Sequence, residues 1–294
     1  MLSILIPTYN YNVYPLVLEL HKQCMECNLE FEIICQDDAS TEFLAKNNEI
    51  NTLENCQYSI SETNSGRTFT RKKLAEKAQY KWLLFLDADV IPVHSNFINN
   101  YIISINDKNQ VILGGYCYQD SPPTSEMIFR YIYGKKREEK TAIERNLNPY
   151  QFIFSGNILI QKEIFTETNF NDEGNYYGMD IYFSYQLFIK KTKIIHIENP
   201  IYHLGLENNE VYFQKSLKAV ENRKQFLINC PKIEKISPLI KKYKAINRFH
   251  LLPITIFFFK TFEPFLKRRI LNKNPSLFCF DIYRLGYLCT IQNK

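Results

Sequence analysis

Five consecutive apolar residues, Trp82-Leu83-Leu84-Phe85-Leu86, stop at the acidic tripeptide Asp87-Ala88-Asp89. A run this short and this uniformly apolar suits a strand buried on both faces, which is the habit of parallel sheets covered by helices. The pattern occurs earlier as well, where Phe31-Glu32-Ile33-Ile34-Cys35 leads into Asp37-Asp38-Ala39-Ser40. Two strands then deliver carboxylates at their C-terminal ends, where open α/β sheets bind ligands. Either cluster alone is equally compatible with a solvated turn or a helix N-cap. A carboxylate pair such as Asp87 and Asp89 can hold a divalent cation against a diphosphate.

Around these two strands the first half of the chain alternates apolar runs with helical patterns. Strands are expected over 2–6, 31–36, 57–60 and 81–86, and helices near 14–27, 41–50 and 67–79. That alternation predicts an α/β fold with a mostly parallel central sheet flanked by helices. Val111–Tyr116 and Ile158-Leu159-Ile160 add strands, followed by a helix near Asp180–Lys191 and a strand near Lys193–Ile197. Between them, Gln119–Pro149 carries Pro122-Pro123 and the charged run Lys135-Lys136-Arg137-Glu138-Glu139-Lys140, read as an exposed turn and helix outside the core sheet that helps form a cleft. From Glu207 onward the pattern is helical. The expected division is a catalytic domain over 1–205 and a helical C-terminal extension over 206–294.

A chain of 294 residues with 45% hydrophobic and 15% aromatic content can bury a large core. The start, Met1 to Pro7, lacks a charged segment and a small-residue cleavage site, so it is read as a first strand and the protein is expected in the cytoplasm. Eight cysteines without regular spacing are then expected to be reduced core residues. Cys24-Met25-Glu26-Cys27 has metal-ligand spacing but no second pair to complete a zinc site.

The net charge of +5 is modest, but between Lys241 and Lys273 nine Lys or Arg stand against one acid, Glu263. The same stretch holds Leu251 to Phe259, then Phe262, Phe265 and Leu266, interrupted by Pro253, Lys260, Glu263 and Pro264. It is too short and too interrupted to span a bilayer. Aromatic and basic residues together suit a helix in an anionic membrane interface, or a helix packed on the catalytic domain with a solvated basic face. No nucleic-acid-binding motif accompanies the charge.

The ordered series Ser3-Ile4-Leu5-Ile6-Pro7-Thr8-Tyr9-Asn10, Glu32 to Thr41, Asn64-Ser65-Gly66 with Arg71, and Phe85-Leu86-Asp87-Ala88-Asp89 resembles the family 2 glycosyltransferases of the GT-A fold over residues 1 to about 205. The resemblance implies that Pro7, Thr8 and Tyr9 line the pocket of the nucleotide base, most often uracil, and that Asp38 contacts it, with Asn64 close by. It implies that Asp87 and Ala88 face the ribose side and that Asp89 ligates Mg²⁺ or Mn²⁺ at the diphosphate. Arg71 matches an arginine near the nucleotide-sugar, and Arg67 and Lys72 stand near enough in sequence to share its role. Gly156-Asn157 resembles a small-residue turn beside the donor sugar, and His203 falls where some members place a further metal ligand. A lone His after a strand is also a common structural residue.

The family takes its general base from a Glu-Asp pair before a helix. Here the stretch reads Tyr177-Gly178-Met179-Asp180-Ile181, so Met179 replaces the Glu and Asp180 is the candidate base, or else an ordinary N-cap. The implied reaction is inverting transfer of a sugar from a nucleotide-sugar donor to a hydroxyl of a glycan or lipid-linked glycan in cell-surface polysaccharide assembly, at the inner face of the cytoplasmic membrane. A non-catalytic sugar-nucleotide binder is the alternative that Met179 suggests. A dinucleotide-dependent oxidoreductase is disfavoured, because Pro7-Thr8-Tyr9-Asn10 stands where a Gly-rich turn is needed.

Overall fold

A computed structural model of the chain describes residues 1–170 and 176–292. It opens with β1 (Leu2–Thr8), α1 (Tyr14–Glu26), β2 (Phe31–Asp37), α2 (Leu44–Asn48), β3 (Cys56–Ile60), α3 (Arg67–Lys77) and β4 (Trp82–Leu86). There follow β5 (Val90–Pro92), α4 (Phe97–Ser104), β6 (Val111–Leu113), β7 (Tyr116–Cys117), α5 (Ile128–Tyr133) and α6 (Ala142–Asn146). The sheet is completed through β8 (Asn157–Gln161), α7 (Lys162–Thr168), α8 (Asp180–Ile189), β9 (Ile194–His196) and β10 (Ile201–His203). The remainder is helical: α9 (Asn209–Leu227), α10 (Pro238–Arg248), α11 (Leu252–Ile270) and α12 (Leu277–Thr290).

The main sheet has the order β3-β2-β1-β4-β8-β6-β9, parallel throughout except where β8 runs against β4 and β6. Both faces are covered, which explains the uniformly apolar runs. Ile4, Ile6, Leu84 and Leu86 enter the core beneath α1 and α4, whereas the alternate residues Leu5, Leu83 and Phe85 enter the core on the side of α3, α7 and α8. The C-terminal ends of β1, β2 and β4 consequently meet along one edge. Because β8 is antiparallel and pairs Asn157 with Leu86, its preceding turn, Ser155-Gly156, lies on that same edge.

The single strand expected over Val111–Tyr116 is two strands in two sheets. Gly114 and Gly115 break it. Gly115 takes φ +92°, and the space a Cβ would need is filled by the guanidinium of the buried Arg145, whose Nη2 donates to the carbonyls of Gly114 (3.1 Å) and Ile197 (2.8 Å). The chain thereby leaves the main sheet and enters a small one of order β5-β10-β7. In it β10 pairs antiparallel with β5, setting His203 opposite Val90.

The charged run after Tyr133 also differs from a plainly exposed helix. Gly134–Glu138 forms a π-helical turn that swings Glu138 inward, leaving its side chain 15% exposed against Arg130. The C-terminal helices pack on the rest of the molecule through two clusters. One joins Phe129 of α5 to Tyr212, Phe213, Phe259, Phe280 and Tyr283, and the other joins Tyr185 of α8 to Leu227, Ile233, Ile236 and Ile240. Among the described residues no helix is long and apolar enough to cross a membrane.

Candidate active site

The strand ends open into a cavity of about 1000 Å³, walled on one side by the sheet edge and on the other by the π-turn and the C-terminal helices. Pro7, Thr8, Tyr9, Asp38, Asn64, Arg71, Asp87, Ala88, Asp89, Asp180 and His203 all line it, so residues separated by nearly 200 positions converge. Gly156 and Asn157 behave differently. Asn157 is buried with its amide committed, since Nδ2 donates to the carbonyls of Gly115 (2.8 Å) and Asn199 (3.1 Å) and Oδ1 accepts from Tyr101 Oη (2.6 Å). It braces the junction of the two sheets and does not face the cavity. Gly156 packs so closely beneath Asp87 that a Cβ there would overlap the carboxylate and the Tyr116 hydroxyl.

The acidic residues at the strand ends have unequal freedom. Asp37 accepts from Tyr58 Oη (2.6 Å) and Ser40 N (2.7 Å) beneath the cavity floor. Both oxygens of Asp38 accept backbone N–H groups, from Ser65 (2.9 Å) and Gly66 (2.8 Å), while Asn64 Nδ2 donates to its carbonyl (3.0 Å). Gly66 sits at φ +84° as the N-cap of α3, a conformation that lets the turn wrap the carboxylate. α3 then sets Arg67 and Arg71 one turn apart on one face, and both reach Asp87. Arg71 Nη2 lies 2.5 Å from Asp87 Oδ1 and also donates to the Ser155 carbonyl (3.2 Å). Burial opposes ionisation of Asp87, but the guanidiniums of Arg67 and Arg71 outweigh it and hold the carboxyl below the usual range.

Asp89 remains open. Its carboxylate is 3.6 Å from His203 Nε2 at the cavity wall, a juxtaposition created by the pairing of β10 with β5. A Cβ on Gly205 would overlap that carboxylate, so glycine keeps the space clear. Burial lowers the His203 pKa despite the opposing pull of Asp89, leaving a neutral ring able to ligate. The ring is held between Tyr116 and Tyr118 at centroid distances of 5.6 and 5.7 Å, and its Nδ1 is buried without a hydrogen-bond partner. A carboxylate oxygen and a neutral imidazole at this separation suit one divalent ion, whose bonds to such donors are about 2.0–2.2 Å. Among the described residues no group of three or more His, Cys, Asp or Glu stands together as a metal cage.

Asp180 is the first residue of α8, is exposed to the cavity, and accepts from Ser155 Oγ at 2.5 Å. Met179, not Asp180, is the N-cap residue, and no side chain caps this helix. Ser155 thus touches both Arg71, through its carbonyl, and Asp180, through its hydroxyl.

Several lining residues were not singled out as site candidates by sequence reasoning. Tyr116 brings its hydroxyl 3.4 Å from Asp87. Arg130 donates to Glu138 (3.0 Å) and to Tyr118 Oη (3.0 Å), with Tyr118 also donating to Glu138. Arg223 and Arg284 enter from α9 and α12. The charged run Lys135–Lys140 was the available signal for Glu138, but the π-turn that aims it was not read from the sequence.

The family model described as "Glycosyl transferase family 2" matches residues 3–168, more than half of the chain. No curated protein matches the chain. Among solved structures, that of S. aureus TarS 1–349 in complex with UDP-GlcNAc is similar, at 17% identity and TM-score 0.52 over 79% of this chain and 72% of that one. A longer S. aureus TarS structure is similar at 16% identity and TM-score 0.54, over 97% of this chain and 54% of that one. The mannosyltransferase PcManGT from Pyrobaculum calidifontis, in complex with GDP-Man and Mn²⁺, is similar at 11% identity and TM-score 0.54 over 82% of this chain and 68% of that one. At these identities the likeness is one of fold, and it is to GT-A enzymes.

Proposed function

The chain belongs to glycosyl transferase family 2, and from that premise we propose that it is an inverting, metal-dependent transferase that moves a sugar from a nucleotide-sugar, most often UDP-linked in this family, to a hydroxyl of a glycan or lipid-linked glycan of the cell surface. The observation that carries this reading is the convergence of Asp89, His203 and Asp180 on one cavity beside the Arg67–Arg71–Asp87 cluster. In this reading residues 1–205 form the catalytic unit, and 206–294 close the acceptor side and meet the membrane.

Pro7, Thr8, Tyr9 and Asp38 would take the base, and Asn64 would keep the Asp38 turn in shape. Asp89 and His203 would hold Mg²⁺ or Mn²⁺, which when bound neutralises charge on the diphosphate. The arginines add fixed positive charge where the leaving group becomes more anionic. The acceptor oxygen attacks the anomeric carbon, the bond from that carbon to the diphosphate oxygen breaks, and the acceptor proton passes to Asp180, whose orientation Ser155 fixes. A nucleoside diphosphate leaves.

The membrane part of the reading rests on α11. Ile254, Phe257, Phe258, Phe262 and Phe265 form an exposed stripe at helical spacing, with Lys260, Arg268 and Arg269 exposed around it, while Phe259, Leu266 and Ile270 are buried on the opposite face. The protein is proposed to sit peripherally on an anionic inner leaflet.

Thermal unfolding in the presence of UDP-, GDP-, CMP- and dTDP-sugars, with Mn²⁺ or with EDTA, tests the central claim. A melting temperature raised by one nucleotide class and lowered again by EDTA is expected. A shift without turnover toward any acceptor or water would favour a non-catalytic binder, the reading Met179 suggests, and no shift at all would overturn the donor site.

A further inference from the structure

Arg223 projects from α9 into the cavity, and its Nε is buried without a hydrogen-bond partner. No carboxylate forms an ion pair with it among the described residues, whereas Arg284 of α12 pairs with Asp281 (2.5 Å) and Arg137 pairs with the same carboxylate (2.7 Å). Arg137 and Arg284 thus share one carboxylate, and Arg223 beside them has no carboxylate in ion-pair contact among the described residues. Burial, then the proximity of Arg284, lowers the pKa of Arg223, with Tyr133, Tyr212 and Asp180 opposing the fall. Leaving such a group unpaired is costly, and a planar fork of donors is well matched to phosphate oxygens. The charge of Asp180 acts on Arg67 and Arg71 and on Arg223, so the carboxylate is within electrostatic reach of both arginine groups.

We propose that Arg223, with Arg284 and Arg137, forms an anion subsite that holds a phosphate group carried by the acceptor while the acceptor hydroxyl lies at Asp180. The proposal deepens the transferase reading and rests on it for the word acceptor. Neighbouring guanidinium forks match the several oxygens of a phosphate better than a carboxylate, and the subsite is built by α9, α12 and the π-turn, whereas Arg67 and Arg71 come from α3.

Calorimetric titration of the full chain with glucose 6-phosphate, glucuronate and glucose, with and without saturating UDP or GDP and Mn²⁺, tests it. Glucose 6-phosphate is expected to bind whether or not the nucleotide is present, glucose not to bind, and glucuronate to bind more weakly. Arg223→Gln should weaken glucose 6-phosphate by roughly tenfold or more, the loss typical of a charge-assisted hydrogen bond, while Arg223→Lys restores part of it. Unchanged nucleotide affinity in Arg223→Gln shows that the variant is folded. Equal binding of glucose 6-phosphate by native protein and Arg223→Gln overturns the subsite, as does displacement of glucose 6-phosphate by the nucleotide or glucuronate binding as tightly. Vesicles of phosphatidylcholine containing phosphatidic acid separate the phosphate sources. If Arg223→Gln weakens only vesicle binding, Arg223 meets a lipid headgroup and the acceptor subsite is overturned. If glucose 6-phosphate binds through Arg223 but no nucleotide binds, the subsite stands and the transferase reading fails.

Discussion

Along the sheet edge the carboxylates of Asp37, Asp38 and Asp87 each meet donors of this chain, from Tyr58, from the Ser65-Gly66 backbone and from Arg67 and Arg71. Across the cavity, α9 and α12 bring Arg223 beside Arg284, which shares the Asp281 carboxylate with Arg137. The sheet edge spends most of its charge on building itself, and the helical wall does not. The difference teaches that membership in an acidic motif does not reveal which member is free: Asp87 is consumed by arginines, while Asp89, two residues on, keeps an open carboxylate.

The largest expected effect tests that distinction. Asp180→Asn should lower turnover by about 10²- to 10⁴-fold, the usual worth of a positioned base, with nucleotide binding retained. Asp89→Ala should lose the Mn²⁺-dependent thermal shift as well as turnover. Full activity in either variant removes that residue's role.

Removing partners from Asp87 sharpens the comparison within the sheet edge itself. Arg71 is almost fully buried, with its side chain 7% exposed, whereas that of Arg67 is 49% exposed. Arg71→Ala should therefore cost about 3–5 kcal/mol of stability, as breaking a buried pair does. Arg67→Ala should cost no more than about 1 kcal/mol, the range of exposed pairs. Urea unfolding of both variants reads the gap, and equal losses would mean that Asp87 relies on neither arginine in particular.

How much of this was legible beforehand follows from the range of the signals. Leu83 and Phe85 alternate with Leu84 and Leu86 within five residues, so the buried strand, and with it the sheet, could be read locally. The meeting of Asp89 with His203 depends on β10 pairing with β5 across the 108 residues between Pro92 and Ile201, and only the family resemblance suggested it. Asn157 was misplaced toward the cavity because its role depends on Gly114-Gly115 switching sheets, which nothing near it announces. Arg223 and Arg284 lie on helices whose pattern shows amphipathicity but not which neighbour they will face. Glu138 was aimed by a π-turn, and an ordinary helical reading turned it outward.

His196, at the far edge of the sheet, is an exception to the sheet's well-paired polar groups and gives a pH test. Burial brings its imidazole down to about 4, against the opposing hydrogen bond to the Pro149 carbonyl and with Arg145 adding to the fall. The folded pKa lies below the unfolded value near 6.5, so the native state favours the neutral ring. That contribution is complete above about pH 6.5 and is lost as the pH falls through 4, by on the order of 3 kcal/mol. The stability difference between native protein and His196→Gln should narrow across that window in urea unfolding. A constant difference would show that the ring titrates normally.

The smallest effect concerns the outer face of the helical region, where exposure and not pairing sets the chemistry. Phe258 and Phe262 are 53% and 51% exposed, with rings stacked at 6.4 Å, so replacing both with Ser removes little from the fold and circular dichroism should not change. If they enter a bilayer interface, each ring contributes at most about 1.5–3 kcal/mol, and incomplete insertion leaves a loss of roughly tenfold or somewhat more in vesicle binding for the pair. Arg268 and Arg269 should add about 1 kcal/mol each on phosphatidylglycerol vesicles and almost nothing on phosphatidylcholine. A second copy of the chain is the competing occupant, but it would bring the same basic rim against this one, and like charges oppose that contact. Sedimentation separates the two: a concentration-dependent dimer abolished by the Ser substitutions, with vesicle binding unchanged, would make the stripe a protein interface and detach the membrane from the function of the helical region.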